Sequence, residues 1–162
     1  MSAKINVPIE DRTMTRRAIL LVEDDFADEE LTLRALRQSN IMNEVIVART
    51  GEEALNYLFA FSGSVDRDEL LPALVLLDLK LPLVDGMEVL RQIRTHPFTR
   101  DLAVVVLTGS DAEQDMQQAQ RLGVRSYIHK PIDFEKFNEA VSGLGMCWVL
   151  SNENCQAVSI TP

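Results

Sequence analysis

The sequence predicts an α/β fold, a doubly wound parallel sheet of five strands. Strand-like and helix-like segments alternate five times along 162 residues, the pattern of repeated β–α units. The strand-like runs are apolar at nearly every position, as in Ala73-Leu74-Val75-Leu76-Leu77, which suits strands covered on both faces. Several of these runs end in chemically active residues, and a sheet of this kind binds ligands beyond the carboxyl ends of its strands.

The elements follow in order. "RAILLVEDD" is an apolar run closing on acids, and "FADEELTLRALRQS" places Ala27, Leu31 and Ala35, with Leu33 and Leu36 alongside, near helical spacing. "EVIVA" is a β-branched strand and "GEEALNYLFAF" a helix; the polar loop "SGSVDRDELL" then leads to the buried strand "ALVLLD". After the turn "LKLPLVDG", Met87, Leu90 and Ile93 share one face of "MEVLRQIR". "AVVVLTGS" is a fourth strand, and "DAEQDMQQAQRLG" a helix with Asp111 near its start and Gly123 just past its end. "VRSYI" is the fifth strand. The last helix is expected over "DFEKFNEAVSGLGMCWVL", with Phe134, Phe137, Val141, Leu144 and Trp148 as one apolar stripe. Residues 1–16 read as a flexible extension, 17–150 as one domain, and 151–162 as a fraying tail.

Composition excludes several classes. The net charge of −9 argues against sequence-independent nucleic-acid binding, which needs a basic footprint. No run reaches membrane-spanning length, and the first 17 residues hold no apolar core of a secretory signal. Cys147 and Cys155 lack metal-type spacing and read as free thiols of a cytoplasmic protein.

The strand ends carry the function. The first strand ends in Glu23-Asp24-Asp25, the third in Asp78 and the fourth in Thr108; the fifth is followed by Lys130-Pro131. A carboxylate at the end of a buried strand is costly unless compensated, and Lys130 is the cation placed to compensate Asp78. Three carboxylates together suit a hard, oxygen-seeking cation such as Mg2+. The chemistry this permits is attack by Asp78 on a phosphoryl group. Lys130 would neutralise charge on the phosphoryl oxygens, and the Thr108 hydroxyl would bond one of them.

This constellation resembles the receiver domain of two-component response regulators over roughly residues 17–150. The landmarks are "LLVEDD", "LLDLKLPLVDG", "VVVLTGS" and "SYIHKP", with 30 positions from Asp78 to Thr108 and 22 from Thr108 to Lys130. The resemblance implies a flavodoxin-like (βα)5 fold with strand order 2-1-3-4-5. It makes Asp78 the phosphoacceptor. It assigns Mg2+ to Glu23, Asp24, Asp78 and the backbone carbonyl of Lys80, although the register of the acidic pair against Asp25 stays open. Thr108 and Tyr127 match the switch pair, Lys130 the phosphate-binding lysine, and Pro131 is expected in cis. The Lys80 side chain, two residues after the phosphoacceptor, is expected to shield or pair with the phosphoryl group and slow its hydrolysis.

The loop before the third strand, the passage "RQIRTHPFTRDLAVVVLTGS" and the terminal "CWVL" look like receiver-only regulators that partner phytochrome-type histidine kinases. That kinship implies a histidine kinase partner and a homodimer, with Phe137 and Trp148 as interface candidates. His96 and His129 read as surface or loop residues. Two rivals are a haloacid-dehalogenase-type phosphatase, against which Lys80 stands where a second aspartate would be needed, and a phosphorylation-independent interaction module on the same scaffold.

Overall fold

The computed structural model describes residues 17–41, 43–60, 70–109 and 113–142, with the backbone of 147–148 and 156–157. One parallel sheet holds β1 (Ile19–Val22), β2 (Val45–Ala48), β3 (Leu74–Asp78), β4 (Val104–Thr108) and β5 (Ser126–His129), in the order β2-β1-β3-β4-β5. The strands alternate with α1 (Phe26–Gln38), α2 (Gly51–Phe59), α3 (Gly86–Thr95), α4 (Glu113–Arg121) and α5 (Phe134–Ser142). The doubly wound sheet and its strand order are those expected.

The unalternating apolar runs have a direct explanation. Side chains alternate between sheet faces, and each face has its own core. Leu20, Val22, Val75, Leu77, Val104 and Val106 pack with Ala54, Leu58, Val89, Leu90, Ile93 and Ala119 from α2, α3 and α4. Ile19, Leu21, Leu74, Leu76, Val105 and Leu107 pack with Ala35, Leu36, Phe137, Ala140 and Val141 from α1 and α5. Register is set pairwise: Leu76 lies opposite Leu21 on one side and Val105 on the other.

Helix ends follow their sequence signals. The Asp25 side chain accepts the Asp28 N–H at 2.9 Å and so caps α1, while Thr50 caps α2 through the Glu53 N–H. Gly123, just past α4, has φ +69, a conformation that costs glycine little. Arg94 at the end of α3 donates to the carbonyls of Arg100, Leu102, Leu122 and Gly123. One guanidinium thereby ties the approaches to β4 and β5 to α3, and satisfies carbonyls that no ladder reaches.

Several expectations need correction. On α1, Ala27 is exposed, whereas Glu29 and Thr32 are buried. Burial is tolerated there because Glu29 pairs with Arg49 at 3.0 Å and the Thr32 hydroxyl donates to the Asp28 carbonyl. The last helix ends at Ser142 instead of continuing through Trp148, and Cys147–Trp148 forms a two-residue strand β6 paired antiparallel with β7 (Gln156–Ala157). Gly143 and Gly145 follow the helix in sequence, and each glycine costs about 1 kcal/mol in a helix interior. Two residues of the segment 151–162, expected as a fraying tail, thus form a paired strand. His96, expected as a surface or loop residue, lies just past α3 as its C-cap and is half-buried, its ring against Phe59 and Phe98 with centroids 5.0 and 4.2 Å away. His129 is exposed, as expected.

Residues 1–16, the loop 61–69, Asp111, Leu144 and the side chains of Cys147, Trp148 and Cys155 lie outside the described residues. Among the described residues, no helix is long and apolar enough to cross a membrane.

Candidate functional site

The parallel sheet brings the ends of β1, β3, β4 and β5 to one edge. Glu23 directly follows β1 and is fully buried; Asp78 closes β3 and is 3% exposed. Glu23, Asp24 and Asp78 each offer a carboxylate oxygen within 4.8 Å of the others. Of the three, Asp24 alone is exposed, so it faces any cation arriving from solvent.

Lys130 enters this cluster from the end of β5. Its Nζ lies 2.7 Å from Glu23 Oε2, 2.9 Å from Asp78 Oδ2 and 2.9 Å from Asp28 Oδ2. The backbone holds the lysine in place, since its N–H donates to the Thr108 carbonyl at 2.9 Å. The Lys130–Pro131 peptide is cis, as expected. Burial disfavours the ammonium, but bonds to Glu23, Asp78 and Asp28 outweigh it and raise the Lys130 pKa above the ordinary lysine value.

The other Asp78 oxygen is also placed: Oδ1 accepts the Lys80 N–H at 3.0 Å. The Lys80 side chain is exposed at the rim. Thr108 closes β4 and is 2% exposed. Tyr127 is half-buried in β5, and its hydroxyl donates to the Met116 carbonyl of α4 at 3.0 Å. Burial raises its pKa.

Two residues stand apart. Phe137, expected as an interface candidate, is instead completely buried in the α1–α5 core, where an aromatic ring removes large apolar area from water. Trp148, the other candidate, belongs to β6. Conversely, the sequence reading overlooked Asp28. The available signal was its place in the first turn of a helix that starts at the strand-end edge.

The donor set fits a hard divalent cation. Every side-chain donor is an oxygen, and the buried Glu23 Oε2 has the Lys130 ammonium 2.7 Å away as its ion-pair partner. Burial, chiefly, and the neighbouring Asp78 push the Glu23 carboxyl up to about 7, against the opposing pull of Lys130. A folded-state pKa raised above the unfolded value of 4.5 means the folded protein holds this proton more tightly. The associated stability is fully present below the unfolded value and is lost as pH rises through about 7. Glu23→Gln is therefore expected to gain on the order of 2 kcal/mol at pH 8 in chelator, with the gain vanishing at pH 4.5. Urea unfolding of both proteins across that range checks it; a gain that does not change with pH would refute the assignment.

Comparison with known proteins places this geometry. The family model of the response regulator receiver domain matches residues 19–142. The response regulator Rcp1 of Synechocystis is 36% identical over 139 residues, which span 86% of this chain and 93% of Rcp1. Among solved structures, the bacteriophytochrome response regulator AtBRR is 48% identical with a TM-score of 0.72, over 85% of this chain and 99% of that one. The bacteriophytochrome response regulator RtBRR is 46% identical with a TM-score of 0.74, over 90% and 87%. The Mn2+-bound form of Rcp1 matches at 34% identity with a TM-score of 0.65, over 87% and 99%.

Proposed function

The chain belongs to the response regulator receiver family, and from that premise we propose that it accepts a phosphoryl group on Asp78 from a histidine kinase of the phytochrome type. The observation that carries this reading is the Lys130 ammonium held 2.9 Å from Asp78 among three clustered carboxylates. The kinase assignment draws on the likeness to two bacteriophytochrome response regulators.

In this reading an Asp78 oxygen attacks phosphorus, an acyl phosphate bond forms, and the bond to the donor imidazole breaks with its electron pair returning to nitrogen. Lys130 lowers the repulsion between the arriving phosphoryl oxygens and the buried carboxylates, and the Thr108 hydroxyl donates to one of those oxygens. Glu23, Asp24 and Asp78 would hold Mg2+, with the Lys80 carbonyl as a further ligand; bound there, the ion neutralises charge that develops on the phosphoryl group. The protein acts on itself and turns over no separate substrate.

The product adds about −1.5 to −2 charges at the end of the sheet. Drawing Thr108 toward that charge frees space for Tyr127, which would surrender its bond to the Met116 carbonyl. The contact between β5 and α4 is then the element that changes, and the signal leaves through altered protein–protein contacts. The homodimer proposed with this kinship uses surfaces other than the buried Phe137.

Intact mass after incubation with acetyl phosphate tests the core of this reading. A single phosphoryl adduct that requires Mg2+ and is absent in Asp78→Asn is expected. An adduct that persists in Asp78→Asn would refute Asp78 as the acceptor.

A further inference from the structure

An ammonium has three hydrogens, and Lys130 faces three acidic oxygens at 2.7–2.9 Å, those of Glu23, Asp28 and Asp78. It donates to Asp28 and Asp78 and is ion-paired with Glu23, so acidic oxygens surround it before any phosphoryl group arrives. A phosphoryl oxygen that uses this lysine must therefore displace or share one of the three.

The three partners are not equivalent. Glu23 and Asp78 belong to the carboxylate cluster, and their side chains are 0% and 5% exposed. Asp28 stands outside that cluster, on α1, and its side chain is 29% exposed. Water can take over its hydrogen bond at small cost, whereas the buried pair would be left uncompensated.

We propose that Asp28 is a positioning residue that competes with the phosphoryl group for Lys130 Nζ. It holds the ammonium over Asp78 in the unphosphorylated protein and releases it when the phosphoryl group binds. The inference rests on Asp78 being the phosphoacceptor. It adds that the tightness of phosphoryl binding is set partly by a helix residue that is not one of the clustered carboxylates. Asp28 also brings a negative charge close to where the new anion forms, and like charges there disfavour the phosphorylated state.

The carboxylate can be changed without loosening α1. The helix is capped by the Asp25 side chain, which accepts the Asp28 N–H, and the Asp28 carbonyl takes the Thr32 hydroxyl. Both contacts use backbone atoms of residue 28 and survive Asp28→Asn. The amide is nearly isosteric but uncharged, so it loses the ion pair alone.

Beryllofluoride with Mg2+ is a non-covalent mimic of the phosphoryl group, and its dissociation constant can be read by 19F NMR on the full-length chain. Asp28→Asn is expected to bind it about fivefold more tightly than wild type, the size of one partly exposed ion pair. Asp28→Glu, which keeps the charge, is expected to return toward the wild-type value. Unchanged or weaker binding in Asp28→Asn, with wild type binding normally, would overturn the competition and leave Asp78 as acceptor untouched. Wild type that binds no beryllofluoride, and behaves as Asp78→Asn does, would overturn the phosphoacceptor reading and this inference with it.

Discussion

With Lys130 replaced by alanine, the metal-free protein is expected to lose about 3–5 kcal/mol of unfolding free energy at pH 8, a large share of the 5–15 kcal/mol or so typical of a domain. The lysine is 13% exposed at its side chain and compensates Glu23 and Asp78, which are buried. Its pKa is raised in the fold, so its contribution is fully present at and below the ordinary lysine value and is lost only above it. Removing it leaves two buried carboxylates that repel each other and Asp24.

The loss should be conditional. Lys130 holds the Glu23 pKa down at about 7; without it that carboxyl takes up its proton at a higher pH, and lowering the pH is expected to return part of the lost stability to Lys130→Ala. Mg2+ should stabilise the variant more than it stabilises wild type, because the carboxylates then lack their only close ammonium among the described residues. Urea unfolding with and without Mg2+, at pH 6 and 8, reads all of this. A loss below about 1 kcal/mol would show that the cluster is well hydrated and that Lys130 is not its electrostatic support.

The second large effect is expected at Gly86, the first residue of α3. A Cβ there would collide with the Asp78 carbonyl oxygen and lie 2.6 and 2.9 Å from Leu79 Cα and C, all backbone atoms. The Gly86 N–H also donates to the Leu79 carbonyl at 3.0 Å and so closes the loop after β3. A side chain cannot be accommodated by rotating a neighbour; the end of β3 or the start of α3 must move. Gly86→Ala is expected to cost at least about 2 kcal/mol. Because the displaced atoms belong to Asp78 and Leu79, phosphoryl uptake from acetyl phosphate should fall as well. Gly109→Ala is the control, with nothing within 4 Å of its Cβ, and should stay within about 0.5 kcal/mol of wild type. Equal melting temperatures for wild type and Gly86→Ala would refute the close approach.

The outcome for individual residues divides along physical lines. Asp78, Thr108 and Lys130 were legible because each terminates or directly follows a strand, and a parallel sheet aligns its strand ends whatever the details of the helices. The two core faces were legible for the same reason: a run such as Leu74–Leu77 with no polar alternation must be covered on both sides. The helices were less transparent. Glu29 and Thr32 occupy buried positions on α1 because Arg49 and the Asp28 carbonyl satisfy them, and such partners are distant or main-chain groups that periodicity does not report. Phe137 lies on an apolar stripe, but only the packing of α1 against α5 decides that the stripe faces inward.

What the sequence by itself determined was the alternation of elements, the doubly wound sheet and the set of residues delivered to one edge, since these depend on local periodicity and on the geometry common to parallel sheets. Only the tertiary structure decided which charges meet. Lys130 and Asp28 are 102 residues apart yet bonded at 2.9 Å, and Arg94 gathers four carbonyls from two separate loops. Electrostatic and hydrogen-bond energies depend on separations of a few tenths of an ångström and on what has been excluded from water, and those quantities exist only after the chain has folded.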